Sequence, residues 1–302
     1  GDNVLIEKIT FRNFNFTGYG GALLWSGNNG ILKNCNFINN TASQWGGAIA
    51  WNGANGTITD SIFTHNTVIN YNGGGVDWSG VNGKLTGCIF TNNTAPNGGG
   101  IYWNNLNGSL IDSNFIGNIA KSSGGGVNWN GANGTLTGSK FIDNGANSNG
   151  GGVHWGGANG NIFDSTFTSN SADKGSGGGI WLGGANGRIT GSTFTNNTAI
   201  NGAGIFLNGN NDILIDSTFT NNTASASGGG VYYYITGSMV NCNFVNNKLT
   251  NHNKINGIYV HSNLIINGGK GIVNINNHGT LSGISIIVLN NETYYYPPNT
   301  NI

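Results

Sequence analysis

The chain is built from short segments in which apolar and polar residues alternate. A typical unit has a glycine run leading into an apolar residue and Trp, as in GGGVDW, then a turn and strand such as NGTLTGS, and finally a segment such as FTNNTA. Each segment is only a few residues long and has the period of two of a half-buried strand, not the 3.6-residue period of a helix. The pattern therefore predicts short β-strands joined by turns.

The segments recur with a nearly fixed period, which sets the architecture. Ten phenylalanines follow one another at spacings of 25 to 27 residues: Phe11, Phe37, Phe63, Phe90, Phe115, Phe141, Phe167, Phe194, Phe219 and Phe244. Three strands per unit predict an all-β parallel β-helix (β-solenoid), in which each coil pairs with the coils before and after it. Because residues 279–286 repeat the pattern once more, we expect about eleven coils over residues 1–290, looser after about residue 250, and a cap or linker at 291–302.

Equivalent positions of successive coils should stack into columns, and the apolar columns should fill the interior. The first aliphatic column is Leu23, Ile49, Val76, Ile101, Val127, Val153, Ile180, Ile205 and Val231. The second is Leu32, Ile58, Leu85, Leu110, Leu136, Ile162, Ile189, Leu214 and Met239, and the Phe residues form the third. A Trp column lies two residues after the first, on the same side by strand alternation. It comprises Trp25, Trp51, Trp78, Trp103, Trp129 and Trp155, then Leu182, Leu207 and Tyr233. We assign it to the core, with an exposed platform for stacking sugars as the alternative.

Two polar columns are also predicted to be internal. Three residues after each Phe from the second coil onward lies an asparagine whose amide can hydrogen-bond along the stack. The column is Asn40, Asn66, Asn93, Asn118, Asn144, Asn170, Asn197, Asn222 and Asn247. Cys35, Cys88 and Cys242 lie two residues before a Phe, where most other coils carry Ser. Cys35 and Cys88 are two coils apart, roughly 9.6 Å by the strand spacing and beyond the ~7 Å Cα limit for a disulfide. We expect three buried free thiols.

Composition narrows the classes of partner. Glycine (55) and asparagine (57) make up more than a third of the chain, without the three-residue period of collagen. Charged residues are 7% of the chain and the net charge is zero, so no basic patch for nucleic acid is expected. The longest aliphatic run near either end spans about six residues, far below the ~20 of a membrane span. We expect no nucleic-acid partner and no membrane insertion by this chain.

Catalytic β-helices act through clustered carboxylates, a basic residue and often calcium. Here Arg12 and Arg188 lie in distant coils. The aspartates that recur three residues before Phe are about 9.6 Å apart, too far to share a metal or to act as an acid/base pair, which favours a turn role. They are Asp60, Asp112, Asp164 and Asp216. His154 is expected to face solvent without a catalytic partner. We therefore predict no enzyme, no cofactor and no metal, and keep a polysaccharide lyase or hydrolase as the alternative.

The candidate contact residues lie between the first aliphatic column and the Trp column, where side chains should point outward. The large polar or aromatic members of this outward column are Tyr102, His154, Trp181, Phe206 and Tyr232. The last three form an aromatic patch that a monomer does not normally expose. Contact with a cell-surface glycan or a protein of another cell, and lateral association with other copies, are equally compatible with the patch. Insertions gather after the ladder asparagines, so corner loops such as 67–72 and 171–176 are further candidates.

The sequence contains two further surface patterns, the glycosylation sequons and an array of threonine pairs. Nine N-x-S/T sequons are possible glycan sites: Asn15, Asn39, Asn55, Asn92, Asn107, Asn133, Asn196, Asn221 and Asn291. Threonine pairs flank three Phe residues, a regular array of the kind used by ice-binding β-solenoids: Thr166 with Thr168, Thr193 with Thr195, and Thr218 with Thr220. Ice binding is a further alternative, although strand propensity already explains the threonines.

The units GGAIAW, FTNNTAPNGGGIYW and FTNNTAINGAGIF resemble the repeats of chlamydial polymorphic outer-membrane proteins. In their Asn/Thr-rich, charge-poor form they are most similar to adhesin-like surface proteins of methanogenic archaea. The resemblance covers roughly residues 1–250. It implies an extracellular, right-handed parallel β-helix at the cell surface, and hence a non-enzymatic adhesin or structural rod, whose ligand the resemblance does not specify.

Overall fold

The protein is a parallel β-solenoid. The computed structural model describes residues 1–250 and the later strand segments 258–260, 264–271, 275–277, 281–282, 285–289 and 292–296. In this part of the chain the regular structure consists of strands, and no helix is long and apolar enough to cross a membrane. The predicted fold class is confirmed.

Sheet 1 takes two strands from each coil, separated by a sharp corner. The first strands are Leu5–Glu7, Ile31–Lys33, Thr57–Thr59, Lys84–Thr86, Ser109–Ile111, Thr135–Thr137, Asn161–Phe163, Arg188–Thr190 and Asp212–Ile215. The second strands carry the Phe column and are Thr10–Arg12, Asn36–Ile38, Ile62–Thr64, Ile89–Thr91, Asn114–Ile116, Lys140–Ile142, Thr166–Thr168, Thr193–Thr195 and Thr218–Thr220. Gly237–Val245 spans both positions, and Leu264–Gly271 and Leu281–Ser282 continue the sheet.

Sheets 2 and 3 each take one strand per coil. Sheet 2 consists of Asn15–Phe16, Thr41–Ala42, Thr67–Val68, Thr94–Ala95, Ile119–Ala120, Gly145–Ala146, Ser171–Ser176, Thr198–Asn201, Thr223–Ser227 and Lys248–Leu249. Sheet 3 consists of Leu23–Trp25, Ile49–Trp51, Val76–Trp78, Ile101–Trp103, Val127–Trp129, Val153–Trp155, Ile180–Leu182, Ile205–Leu207, Val231–Tyr233, Ile258–Val260 and Ile275–Asn277. Ser285–Leu289 and Glu292–Tyr296 form a separate antiparallel pair.

The strands stack in the predicted register. Phe63 pairs with Phe37 on one side and Phe90 on the other, and Trp78 pairs with Trp51 and Trp103. The ten stacked Phe positions define nine complete turns, slightly fewer than the eleven coils predicted. Much of the remaining sequence, including half of 279–286 and all of 297–302, lies outside the described residues, so the proposed boundary between residues 290 and 291 stays a prediction.

The core is formed by the predicted apolar columns. The Phe rings from Phe37 onward are at most 1% exposed and stack at centroid distances of 4.5 to 4.9 Å. Trp51 to Trp155 are fully buried, and Leu182, Leu207 and Tyr233 continue their column at 2% exposure or less. The Trp column is therefore core, and a sugar platform at these positions is wrong.

Two hydrogen-bond ladders run through the interior beside the apolar columns. In the first, the amide of each asparagine from Asn40 to Asn222 bonds to the next asparagine of the column. In the second, a backbone N–H of one coil donates to the side chain of the next coil's Ser or Cys, as from Cys35 to Ser61 Oγ at 3.1 Å. All three cysteines are free and buried, as predicted. Burial raises the pKa values of Cys88 and Cys242 to about 12, so neither thiol is activated.

Candidate contact surface

The outward column of sheet 3 is less exposed than the sequence suggested. Its members sit next to residues of the flanking turns: Asn128 Nδ2 donates to the Ser123 carbonyl at 3.3 Å, and Asn130 Nδ2 donates to the Tyr102 hydroxyl at 2.8 Å. Asn128 is only 4% exposed, and Tyr102 is half-buried. The five candidate contact residues therefore present part of each side chain to solvent, because the turns on both sides of the strand cover the rest.

His154 lies at the outward position of the strand, but it is less exposed to solvent than predicted. Its ring stacks on Trp181 with a centroid distance of 4.4 Å and an interplanar angle of 3°. The side chain is half-buried, no described residue hydrogen-bonds to its Nδ1, and burial lowers the pKa of His154 to about 4. The imidazole is thus neutral at neutral pH, and its stacking partner lies one coil away, at the equivalent position.

Phe206, Tyr232 and Tyr234 form a second ring cluster in the next two coils. The rings of Phe206 and Tyr232 stack at 4.7 Å, and Tyr234 lies 6.3 and 6.5 Å from them. Tyr234 is 43% exposed and extends the cluster toward the turn. The sequence column did not include Tyr234, because this residue follows the strand instead of occupying its outward position.

The stacking direction decides what this surface can bind. Near-parallel rings at about one coil spacing cover each other's faces, so what they show to solvent is mainly ring edges and, at Tyr232 and Tyr234, phenol groups. A sugar stacks on a ring face. The geometry therefore suits a partner that packs against ring edges better than one that depends on sugar–ring stacking.

The preceding coils carry polar groups in the same column. Asp77 is 4% exposed; Ser79 donates to its Oδ1 at 3.2 Å, whereas its Oδ2 has no hydrogen-bond partner among the residues that the structure describes. Burial raises the pKa of Asp77 to about 7, and the Ser79 hydrogen bond acts in the opposite direction. The outward column thus changes from buried polar groups at Asp77 and Asn128 to aromatic rings from His154 onward.

The recurring aspartates are corner residues of the fold. Asp60, Asp112, Asp164 and Asp216 all have φ of 48°, the left-handed conformation that Asp tolerates and that glycine adopts in the intervening coils. The alternation has a steric cause that the sequence did not reveal: a Cβ at Gly138 would lie 2.2 Å from Asp112 Oδ1, so each Asp side chain fills the space beside the next corner. Within the described part of the chain, no three His, Cys, Asp or Glu residues are grouped closely enough to hold a metal ion.

Seven of the nine sequons fall into two structural classes. Asn39, Asn92, Asn196 and Asn221 are exposed corner residues with positive φ. The second class belongs to an exposed asparagine ladder that runs from Asn3 to Asn211, and its members are Asn55, Asn107 and Asn133. In this ladder Asn55 Nδ2, for example, donates to Asn29 Oδ1 at 3.0 Å. The sequence analysis did not predict it. Asn15 is exposed in a strand, and Asn291 lies outside the described residues.

The threonine array is in register, with Thr193 Oγ1 3.4 Å from Thr166 Oγ1.

A further aromatic cluster lies on the variable corner of the first coils. Trp45 is sandwiched between Tyr19 and Tyr71, at centroid distances of 4.9 and 4.3 Å, and both tyrosines are 46% exposed. The corner is the region of variable length, so these residues did not align as a column in the sequence. The sequence signal for this cluster is that each aromatic residue lies four or five residues before a member of the first aliphatic column.

Four segments of the chain match the repeat of the Chlamydia polymorphic membrane protein. They are residues 34–50, 87–102, 164–183 and 216–233. No curated protein matches the chain. The likeness to these repeats is thus found for part of the chain, whereas the likeness to adhesin-like proteins of methanogenic archaea stays a prediction.

The matched segments coincide with one part of each coil. Each begins at the corner residue of sheet 1, which is Asn34, Gly87, Asp164 or Asp216, and ends in or next to a strand of sheet 3. In between lie the Ser/Cys position, the Phe, the ladder asparagine and the glycine run. The shared features are therefore residues that build the coil, and they say little about what the outer surface contacts.

Proposed function

We propose that the protein is a non-enzymatic, extracellular surface protein, an adhesin or structural rod that mediates attachment through its solenoid surface. The proposal is supported by the likeness of four segments to the polymorphic membrane protein repeat and by the ring clusters on sheet 3. A stack of identical coils holds its outward side chains on a backbone fixed by continuous ladders, so a contact surface is preorganised without a binding cleft.

The observation that carries the proposal is the aromatic surface formed by the His154–Trp181 stack and the Phe206–Tyr232–Tyr234 cluster. Aromatic residues contribute a large contact area at little conformational cost, and a weak single contact becomes effective when many copies line a surface. The partner is a glycan or protein of another cell, or a neighbouring copy of this chain. The exposure of ring edges favours a protein surface, including that of a second copy.

Replacing Trp181, Phe206 and Tyr232 together by Ser tests this proposal. We expect the variant to lose cell attachment, or lateral association in sedimentation velocity, while its circular-dichroism spectrum stays that of wild type. Tyr19 and Tyr71, both replaced by Ser, are the matched control, because they remove stacked aromatics of another surface. Normal attachment and association by the triple variant would overturn the assignment, and loss in the control alone would move the site to the corner of the first coils.

A further inference from the structure

Gly145 is a glycine that the fold does not require. It occupies the outward position of sheet 2, where the neighbouring coils carry Ile119 and Ser171, and its φ is not in the left-handed region. A Cβ at this position would meet nothing closer than Ser171 Oγ at 3.6 Å. Apart from the first residue, every other glycine whose surroundings are described either has a positive φ or would bring an added Cβ closer than 3.6 Å to a neighbouring atom. Because glycine weakens a strand, its presence here calls for another reason.

Gly145 lies in the wall of a surface hollow of about 520 Å³. Its lining includes Ala120 and Ala146, which are buried, with Ile119 and Ser171 from the adjacent coils. Ile119 is 52% exposed and offers an apolar wall. The volume falls within the range of small-ligand sites, which bury an apolar part of the ligand and orient it with a few polar groups.

Three charged side chains also line the hollow. They are Lys121, Asp143 and Asp173, in a chain with only 11 basic and 11 acidic residues. None of the three takes part in an ion pair in the part of the chain that the structure describes. Lys121 and Asp173 occupy equivalent positions two coils apart, with Asn147 between them, whereas Asp143 precedes the strand. Charges of both signs therefore converge on one hollow without neutralising each other.

We propose that this hollow binds a small zwitterion of about amino-acid size. The ligand's ammonium group pairs with Asp143 or Asp173, its carboxylate pairs with Lys121, and an apolar side chain packs against Ile119 beside the open backbone at Gly145. Each charge pair is solvent-exposed and hence weak, so affinity depends on the simultaneous fit of both charges and the apolar part. This site is separate from the aromatic surface of sheet 3 and does not depend on it.

The probe is L-leucine, titrated into isotopically labelled full-length protein and followed by the amide chemical shifts of residues 119–121, 145–147 and 171–173. We expect saturable shifts at these amides. L-leucine methyl ester lacks the carboxylate and 4-methylpentanoate lacks the ammonium group, so each should bind about two- to fivefold more weakly, the effect of one exposed charge pair.

Gly145→Thr is the decisive variant, because Thr occupies this position at Thr67, Thr94 and Thr198 and fits without a clash. It should abolish the shifts while leaving the melting temperature unchanged or raised. Thr67→Gly is the matched control, since it opens the same column where His65 and Ile69 replace Asp143 and Asn147. The absence of saturable shifts in wild type, or equal shifts in Gly145→Thr, would overturn the proposal, as would equal affinity for all three probes.

Discussion

At the scale of single residues, the buried asparagine ladder satisfies polar groups that the coil corners would otherwise leave without partners. Asn144 Oδ1 accepts from the backbone N–H and the amide of Asn118, and its Nδ2 donates to the Phe115 carbonyl and to Asn170 Oδ1. The side chain therefore connects three consecutive coils. A buried donor or acceptor that loses its partner pays the full cost of desolvation.

Replacing Asn144 by Leu should lower the free energy of unfolding by about 1–3 kcal/mol for each orphaned group. Asn159→Gly is the control: Asn159 belongs to the exposed ladder and has a φ of 56°, which glycine adopts freely, so a much smaller loss is expected. Thermal melting measures both. Equal melting temperatures for Asn144→Leu and wild type would mean that the ladder does not stabilise the interior.

Asp77 makes stability depend on pH. Because burial raises its pKa from 3.8 to about 7 in the folded state, the folded protein holds a proton that the unfolded chain has lost over this range. The contribution of Asp77 to the free energy of unfolding should therefore fall as the pH rises from about 4 to about 7. Asp212, whose pKa burial also raises to about 7, adds a fall over the same range, whereas His154, whose pKa burial lowers from 6.5 to about 4, adds a rise between those two values. Asp77→Asn should weaken this dependence, as measured by melting temperature between pH 4 and pH 8. An unchanged slope in the variant would show that Asp77 is not the titrating group.

At the scale of strands and turns, the Asn-Gly turns and the Trp column depend on each other. The turn glycine lies directly against the indole: a Cβ at Gly134 would lie 2.6 Å from Trp129 Nε1. The Asn-Gly sequence thus provides both a positive-φ residue and the space that a buried Trp needs. In the later coil where Tyr233 occupies the Trp position, the turn becomes the ITGS stretch and the Tyr hydroxyl donates to the Ser238 carbonyl at 3.0 Å.

Gly134→Ala should therefore destabilise the protein by about 1–3 kcal/mol through overpacking against Trp129. The comparison is Gly145→Ala, which adds the same methyl group in a strand position with open space. We expect chemical denaturation to show a loss for the first variant and no loss for the second. Similar stabilities of the two variants would contradict the steric account of the turn.

The sequence predicted most of the fold and less of its surface. The period of the Phe residues sufficed to assign the apolar columns and the inner asparagines, because identical positions in stacked coils share one environment. Side-chain exposure was not predictable in the same way: His154 was expected in solvent, and only the structure shows it half-buried against Trp181. The Asp and Gly alternation was visible in the sequence, but its cause, a side chain reaching into the next coil, requires coordinates.

At the scale of the whole molecule, the described coils combine a uniform interior with a varied exterior. Aromatic clusters lie around Trp45 in the first coils and around Phe206 in the later ones, with the Gly145 hollow between them along the chain. The matched repeat segments include Trp45, Trp181 and Tyr232, so these surface features are departures from coil to coil at positions within the repeat unit. Such departures are where binding specificity is expected in a solenoid.

All of these assignments depend on in-register stacking of the coils, which one distance measures directly. Ile62 and Thr193 are exposed, lie at the same position of sheet 1 and are separated by five coil steps. Spin labels on Ile62→Cys and Thr193→Cys should therefore be about 24 Å apart before the label length is added. The buried Cys35, Cys88 and Cys242 should stay unlabelled under native conditions. A single narrow distance distribution near that value is the predicted result of double electron–electron resonance. A broad distribution, or a mean displaced by one coil spacing or more, would contradict the stacked register.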